Sequence, residues 1–243
     1  MKRFGLIGHP VAGSLSPRLF EAAYGGRYGY DLIEGSVFAA SWERFLREYD
    51  GINVTAPFKE DAFRAVDSLS DDARMCRAVN LAVKTPSGIS GYNTDVDGVV
   101  LSVRETGIPV SDALIVGCGG AGRAAAVAAL RMGCHVTLAN RTAPRAAALA
   151  SELGCDWIPT DDLPALAPDL LVYTVPGPME NLPDPSVFSD AVVLEANYRT
   201  PVLKGWGRAY VSGRRWLLYQ AVAGYEFFTG ESPDMGAMSH VFC

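Results

Sequence analysis

The chain predicts an α/β fold in two parts, a mixed-sheet part first and a parallel, doubly wound part after it. Three observations carry this. From about residue 112 onward, short apolar runs alternate with helix-like stretches, the rhythm of a parallel sheet covered on both faces. The first of these runs, Ala113–Val116, feeds directly into Gly117, Gly119 and Gly122 at G-x-G-x-x-G spacing, with a small-residue helical run behind them. Upstream, Ala78–Lys84 and Ile89–Tyr92 flank Thr85-Pro86-Ser87-Gly88, a hairpin pattern that brings antiparallel strands into the first part.

The bulk numbers agree with a folded, water-soluble chain. Its 243 residues suffice for one large or two small domains, and 49% hydrophobic against 20% charged residues supplies a core. A net charge of -6 argues against a broad nucleic-acid-binding surface, although a small anion needs only a local basic cluster. Five cysteines without a C-x-x-C pair point to a reducing compartment. Three histidines and no H-E-x-x-H argue against a zinc site, so no metal is expected. No signal peptide and no apolar run of membrane-spanning length are visible, so the expected location is the cytoplasm, away from membranes.

Taken in order, Arg3–Gly8 reads as a strand, and His9–Ser16 as a loop carrying Ser14 and Ser16. Ser16-Pro17 opens a helix to about Tyr24, because proline suits the first helical position. Tyr28–Ile33 is strand-like, and Phe38, Trp42, Phe45 and Leu46 give Phe38–Tyr49 helical spacing. Gly51–Thr55 is a short strand ending in Asn53, Thr55, Pro57 and Lys59, where polar groups at the carboxyl end of a strand in open α/β sheets tend to meet ligands. Lys59–Val66 reads as a helix, and the hairpin follows. Thr94 or Asp95 caps a helix through Glu105 that connects the two parts.

The second part opens with Ala113–Val116 and a helix to about Met132. Cys134–Ala139 is its second strand, and an alanine-rich helix runs to about Leu153. Cys155–Ile158, Leu170–Thr174 and Ala191–Glu195 complete five strands. Val175–Asp190 is a loop holding prolines 176, 178, 183 and 185. Thr200-Pro201 predicts a helix to about Tyr210, Gly213 a turn, and Trp216–Phe228 an apolar helix carrying Gln220. Ser232–Cys243 reads as a tail, and there is no repeat or low-complexity tract.

The glycine motif has a physical reading. Its first glycine permits a tight turn, its second lets backbone approach a pyrophosphate, and its third lets the helix close on its strand. The helix N-terminus then faces the negative charge. A fold of this Rossmann type that prefers NAD usually ends its second strand in Asp or Glu. Here that place holds Asn140 and Arg141, a cation able to bond a 2′-phosphate, with Arg145 one turn further. The expected cofactor is NADP. A nicotinamide enzyme acting on a carbonyl needs a donor at the oxygen that gains charge and a route for one proton. Lys59 and Asp95 are the candidates, a lysine whose charge stabilises an alkoxide and a carboxylate that holds it. An ordinary salt bridge at a domain edge accounts for the same two residues equally well.

These segments, in this order, resemble the shikimate dehydrogenase family over nearly the whole chain. Ser14-Leu15-Ser16-Pro17 resembles its serine pair, and Asn53-Val54-Thr55-Ala56-Pro57-Phe58-Lys59 its N-V-T-x-P-x-K segment. Ala78-Val79-Asn80, Gly91-Tyr92-Asn93-Thr94-Asp95, Gly117–Arg123 and Asn140-Arg141-Thr142 match further signatures. The resemblance implies reversible, NADPH-dependent reduction of 3-dehydroshikimate to shikimate, on the route to chorismate and aromatic amino acids. It implies Lys59 and Asp95 as catalytic pair, with Ser14, Ser16, Thr55, Asn80, Tyr198 and Gln220 holding a small anionic polyol. The cofactor would lie against Gly117, Gly119, Gly120, Ala121, Gly122, Asn140, Arg141, Thr142 and Arg145. It also implies that the last helices return to the first part, so that residues 1–97 and 219–243 form a substrate domain and 98–218 the NADP domain. A monomer or homodimer is expected. The chain departs from the family at Gly13, at Phe20-Glu21, at Leu81 in place of threonine, in the 173–179 loop and in a shortened 195–198 segment. Two alternatives stay open: a relative acting on quinate or an amino-substituted analogue, and a non-catalytic dinucleotide-binding regulator.

Overall fold

The computed structural model describes residues 2–179 and 182–242, with 164 and 165 as backbone alone. Positions 180 and 181 of the expected 175–190 loop, and Cys243 of the expected tail, lie outside the described residues. The chain divides into two compact units, Met1–Thr94 with Gln220–Cys243, and Asp95–Tyr219.

The first unit contains β1 (Arg3–Gly8), α1 (Ser16–Tyr24), β2 (Gly29–Glu34), α2 (Phe38–Glu48), β3 (Gly51–Val54) and α3 (Lys59–Ala65). It continues with β4 (Ser68–Leu69), α4 (Asp71–Cys76), β5 (Leu81–Thr85) and β6 (Gly88–Tyr92). The sheet order is β2-β1-β3-β5-β6-β4. β1 runs parallel to β2 and β3, while β5 runs antiparallel to both β3 and β6, so the sheet is mixed. One face is closed by α2, whose Phe38, Trp42, Phe45 and the following Tyr49 recur at helical spacing over Ile7, Ile33, Ile52 and Val54. The other carries an aromatic cluster in which Phe4 stacks on Phe228 at 4.8 Å and Phe20 meets Tyr225 edge-on at 4.8 Å.

The second unit contains α5 (Asp95–Arg104), β7 (Asp112–Val116), α6 (Gly120–Arg131), β8 (His135–Ala139), α7 (Ala143–Leu153) and β9 (Asp156–Ile158). β10 (Leu170–Tyr173), β11 (Val192–Glu195) and β12 (Ala209–Ser212) follow, with short 3-10 turns at Thr160–Ala165 and Pro185–Phe188. α8 (Gly213–Thr229) begins in this unit and ends in the first, where α9 (Met235–Ser239) follows it. All neighbouring strands are parallel in the order β12-β11-β10-β7-β8-β9. Read from the other edge this is 3-2-1-4-5-6, the doubly wound dinucleotide-binding order, with its switch point between β7 and β10. β7, β10 and β11 are buried almost throughout, which explains their unbroken apolar runs.

The helix expected from Thr200-Pro201 to Tyr210 does not form; turns lead instead into a sixth strand, β12. One local cause is visible. Gly205 and Gly207 sit in the left-handed region, at φ of 86° and 74°. The fully buried Glu195 carboxylate takes the backbone N–H groups of Val202 (2.6 Å) and Leu203 (3.0 Å) and so ties this turn to the end of β11. Gly213 is not a separate turn but the first residue of α8. The short pair β4 and α4, absent from the expected elements, has a local signal in Ser70, whose side chain caps Ala73 N–H at 3.2 Å. The expected tail holds α9, capped by Asp234 on Ala237 N–H at 2.9 Å, and Asp234 N–H is tied to the Ala23 carbonyl. Among the described residues no helix is long and apolar enough to cross a membrane.

Candidate active site

Six of the predicted site residues fall in the first unit, and the backbone stitches most of them to one end of its sheet. β3 is wholly buried, and after it Phe58 N–H bonds back to the Thr55 carbonyl as the chain turns into α3, whose first residue is Lys59. The segment before β5 is pinned from three sides. Val79 N–H donates to the Lys59 carbonyl at 2.9 Å, Val54 N–H to the Asn80 carbonyl at 2.8 Å, and Asn80 N–H to the Tyr92 carbonyl at 3.0 Å. Thr55 and Lys59 are half-buried, Asn80 fully buried.

The Asn80 side chain is equally fixed. Its Oδ1 accepts from Thr94 N–H at 2.8 Å, and its Nδ2 donates to Thr94 Oγ1 at 3.1 Å. Gln220 Oε1, on the part of α8 that belongs to this unit, stands 3.5 Å from both Asn80 Nδ2 and Thr94 Oγ1. Gly224, one turn on, permits this approach, since a Cβ there would press on Leu81 and Thr94. Ser14 Oγ lies 3.0 Å from Ser16 Oγ and also takes Ser16 N–H at 3.2 Å, so the serine pair is a small rigid loop. Asp95 follows Thr94 directly and opens α5.

Four further residues of this network stand outside the expected substrate contacts: Tyr30, Asn53, Thr94 and Tyr225. Tyr30 Oη donates to Asn53 Oδ1 at 2.8 Å, and Asn53 Nδ2 donates to the Asn80 carbonyl at 3.3 Å. Tyr225 Oη donates to the Ser16 carbonyl at 3.1 Å. Burial pushes both phenols well above the usual tyrosine range. The available signal was Asn53, a polar residue inside an otherwise apolar strand.

In the second unit, β7 ends at Gly117, at φ 99°, with its N–H on the Ala139 carbonyl at 2.8 Å. The third glycine of the motif packs against the first, since a Cβ on Gly122 would collide with the Gly117 carbonyl. Gly119 and Gly120 differ: beyond the adjoining chain, nothing among the described residues comes within 4 Å of a Cβ built there. Open space therefore lies beside the N-terminus of the 12-residue α6, where N–H groups favour an anion.

No acid stands at the end of β8. Asn140 does, but its amide is engaged: Oδ1 accepts from Cys118 N–H at 3.1 Å and Nδ2 donates to the Thr142 carbonyl at 3.1 Å. It ties the glycine loop to the turn before α7. Arg141 and Arg145 are exposed, and neither has an ion pair among the described residues. Burial pushes the Cys118 thiol up to about 11 against the opposing positive charge of Arg145, whose field therefore reaches the loop. Thr142 flanks α7 without making a side-chain cap. An open glycine cradle, no acid and two uncommitted cations fit a dinucleotide with an extra phosphate. Among the described residues no group of three or more His, Cys, Asp or Glu side chains could hold a metal.

The loop after β10 is also braced. Thr174 Oγ1 donates to the Val116 carbonyl at 2.9 Å, and Tyr173 Oη to the Gly177 carbonyl at 2.6 Å, with burial raising Tyr173 to about 12. Asn197 donates to the Pro176 carbonyl at 2.9 Å and to Thr200, closing the turn that carries the half-buried Tyr198.

Comparison with known proteins decides the family. A family model for the shikimate dehydrogenase substrate binding domain matches residues 6–82. A shikimate dehydrogenase (NADP(+)) from Acidiphilium cryptum is 37% identical over 254 residues, spanning 94% of this chain and 91% of the relative. The chain belongs to the shikimate dehydrogenase family. Among solved structures, the shikimate 5-dehydrogenase of Thermus thermophilus, in complex with NADP(H) and shikimate, superposes with a TM-score of 0.88 at 30% identity, covering 99% of this chain and 98% of that one. A quinate dehydrogenase from Corynebacterium glutamicum, in complex with NAD, gives 0.88 at 26% identity with the same coverage.

Proposed function

We propose that this protein is an NADP-dependent shikimate dehydrogenase, reversibly reducing 3-dehydroshikimate to shikimate in aromatic amino acid biosynthesis. The observation that carries the proposal is the end-to-end relationship to NADP-dependent shikimate dehydrogenases, 37% identity over 94% of the chain. The substrate is a small anionic polyol and the cofactor NADP(H). When bound, the nicotinamide supplies the hydride for reduction and takes it in oxidation.

What this chain supplies is binding, orientation and one proton path. Residues 1–97 and 219–243 act as the substrate domain, and 98–218 as the NADP domain. Ser14, Ser16, Thr55, Asn80, Gln220 and Tyr198 hold the carboxylate and hydroxyls. Lys59 donates to the oxygen that gains charge and stabilises it, and Asp95 holds the ammonium and shares in passing the proton. Gly117, Gly119, Gly120, Ala121 and Gly122 cradle the pyrophosphate, with α6 presenting backbone N–H groups to it. Arg141, with Arg145, bonds the 2′-phosphate, while Asn140 and Thr142 shape the turn that carries them. The protein works in the cytoplasm as a monomer or homodimer, without nucleic acid, metal or membrane.

Initial rates with shikimate and quinate, each with NADP⁺ and NAD⁺, test this reading. Shikimate with NADP⁺ is expected to be much the fastest pair. Quinate with NAD⁺ turning over equally fast would overturn it in favour of a quinate enzyme. NADPH binding without turnover of either polyol would mark a regulator.

A further inference from the structure

A second layer of side chains lies behind the residues assigned to the substrate. Tyr30 enters β2 beside β1, and its ring packs on Phe20 with centroids 4.8 Å apart. Its hydroxyl reaches past β1 to Asn53 on β3, donating to Oδ1 at 2.8 Å. Asn53 is only 7% exposed, and the two ends of its amide have opposite demands. Oδ1 must find a donor, and Nδ2 must find an acceptor. The Tyr30 hydroxyl meets the first demand, and the Asn80 carbonyl meets the second at 3.3 Å. Reversing the amide would set Asn53 Oδ1 against the Asn80 carbonyl, acceptor to acceptor. The orientation in which both ends are satisfied is the one that Tyr30 and the Asn80 carbonyl jointly select.

From this geometry we infer that Tyr30 is a positioning residue for substrate binding: its hydroxyl locks the Asn53 amide, which holds the Asn80 main chain and so aims the Asn80 side chain. The inference rests on the assignment of Asn80 to the substrate. The continuation of the relay supports it, because the Asn80 amide is itself orientated, with Oδ1 on Thr94 N–H and Nδ2 on Thr94 Oγ1 beside Gln220. Tyr30 thus sits two hydrogen bonds behind a substrate residue. Burial raises its pKa well above the ordinary phenol value, with the neighbouring Tyr225 adding to the shift, so the hydroxyl keeps its proton and donates across the working pH range.

The test is Tyr30→Phe in the full chain, which keeps the ring and removes one donor. The KM for shikimate is expected to rise about tenfold, the factor matching one lost buried hydrogen bond, with kcat and the KM for NADP⁺ changed less than about twofold. Asn53→Ser cuts the relay at its second link and is expected to raise the same KM. In the double variant the two effects should not add, since both remove one pathway. The side-chain amide resonances of Asn53 and Asn80 should shift in Tyr30→Phe. They should stay in place in Tyr225→Phe, which loses a comparable buried hydroxyl on the Ser16 carbonyl. An unchanged shikimate KM, equal rises for both substrates, or additive effects would overturn the inference. If the parent turns over no shikimate, the proposed function fails, and the amide resonances alone decide whether Tyr30 sets Asn53 and Asn80. If Tyr30→Phe does not fold, Asn53→Ser carries the test, and an unaltered shikimate KM there overturns the relay.

Discussion

The glycine motif offers a separation of folding from binding within four residues. Gly119 has φ -81° and ψ -171°, extended backbone open to any L residue, and a Cβ there meets nothing within 4 Å among the described residues beyond the adjoining chain. Gly119→Ala therefore introduces neither strain nor overpacking. By restricting the unfolded chain it should stabilise by about 0.4–1 kcal/mol, a rise of about 1–4 °C in the melting midpoint for a chain of this size. Gly122→Ala is the opposite case, because its Cβ would strike the Gly117 carbonyl, a backbone atom that cannot swing aside. Overpacking of that kind costs about 1–3 kcal/mol, a fall of about 2–12 °C. Binding should follow another order. The methyl of Gly119→Ala fills the space assigned to the pyrophosphate, so NADPH affinity should fall at least about tenfold although the apoprotein is no less stable. Melting curves without ligand and NADPH titration by fluorescence read the two quantities separately. If Gly119→Ala bound NADPH like the parent, or lost as much stability as Gly122→Ala, the division of labour among these glycines would be refuted.

Other consequences can be checked as directly. Arg141→Ala should raise the KM for NADP⁺ about 10–100-fold, the worth of a charge-assisted bond of about 1.5–3 kcal/mol, and leave that for NAD⁺ nearly unchanged; equal changes would contradict a 2′-phosphate role. Glu195→Ala strands two backbone N–H groups and the Tyr210 hydroxyl, which it accepts at 3.0 Å, and should cost about 3–5 kcal/mol in denaturant titration, with Glu195→Gln intermediate. Cys118 has its folded pKa raised to about 11, so its stabilising effect is complete below the ordinary thiol value of 9.0 and is lost as pH rises toward 11. Cys118→Ala should flatten that alkaline limb, and the parent thiol should react with iodoacetamide near pH 8 far more slowly than a free cysteine.

Where the sequence was legible, the cause was local. The strand–glycine–helix unit at residues 112–131, the helical spacing of Phe38, Trp42 and Phe45, and the Thr85–Gly88 turn each lie within one short window, and each formed near its expected bounds. The failure at 200–210 joins a local cause, Gly205 and Gly207 in the left-handed region, to a non-local one in strand pairing. Thr200-Pro201 carries a genuine helix-start signal, and Glu195, at the end of a buried strand, accepts from the N–H groups of Val202 and Leu203, yet no helix propagates. The pairing of Ala209–Ser212 with Val192–Glu195 then completes the sheet, and tertiary pairing outweighs local propensity.

The same contrast runs through the two halves of the site. On the nucleotide side the decisive residues are neighbours in sequence, yet the structure changes what one of them does. Asn140 stood among the expected cofactor contacts. Its amide joins Cys118 N–H to the Thr142 carbonyl, so it holds the glycine loop against the turn. In the proposed reading, discrimination for a phosphorylated dinucleotide rests on charge, through Arg141 and Arg145, the latter lowering the Cys118 pKa against the rise from burial. On the substrate side the relay from Tyr30 through Asn53 and Asn80 to Thr94 joins positions as far as 64 residues apart (94 less 30). A tyrosine in a strand and a threonine before a helix are ordinary residues in any local window. Only the topology brings them together: β1 and β3 run side by side, and β5 returns antiparallel so that Asn53 pairs with Leu81 and Asn80 falls next to it. If Asn80 holds the polyol as proposed, specificity is expected to depend also on residues that never touch it, since the Tyr30–Asn53 relay ends on the Asn80 main chain.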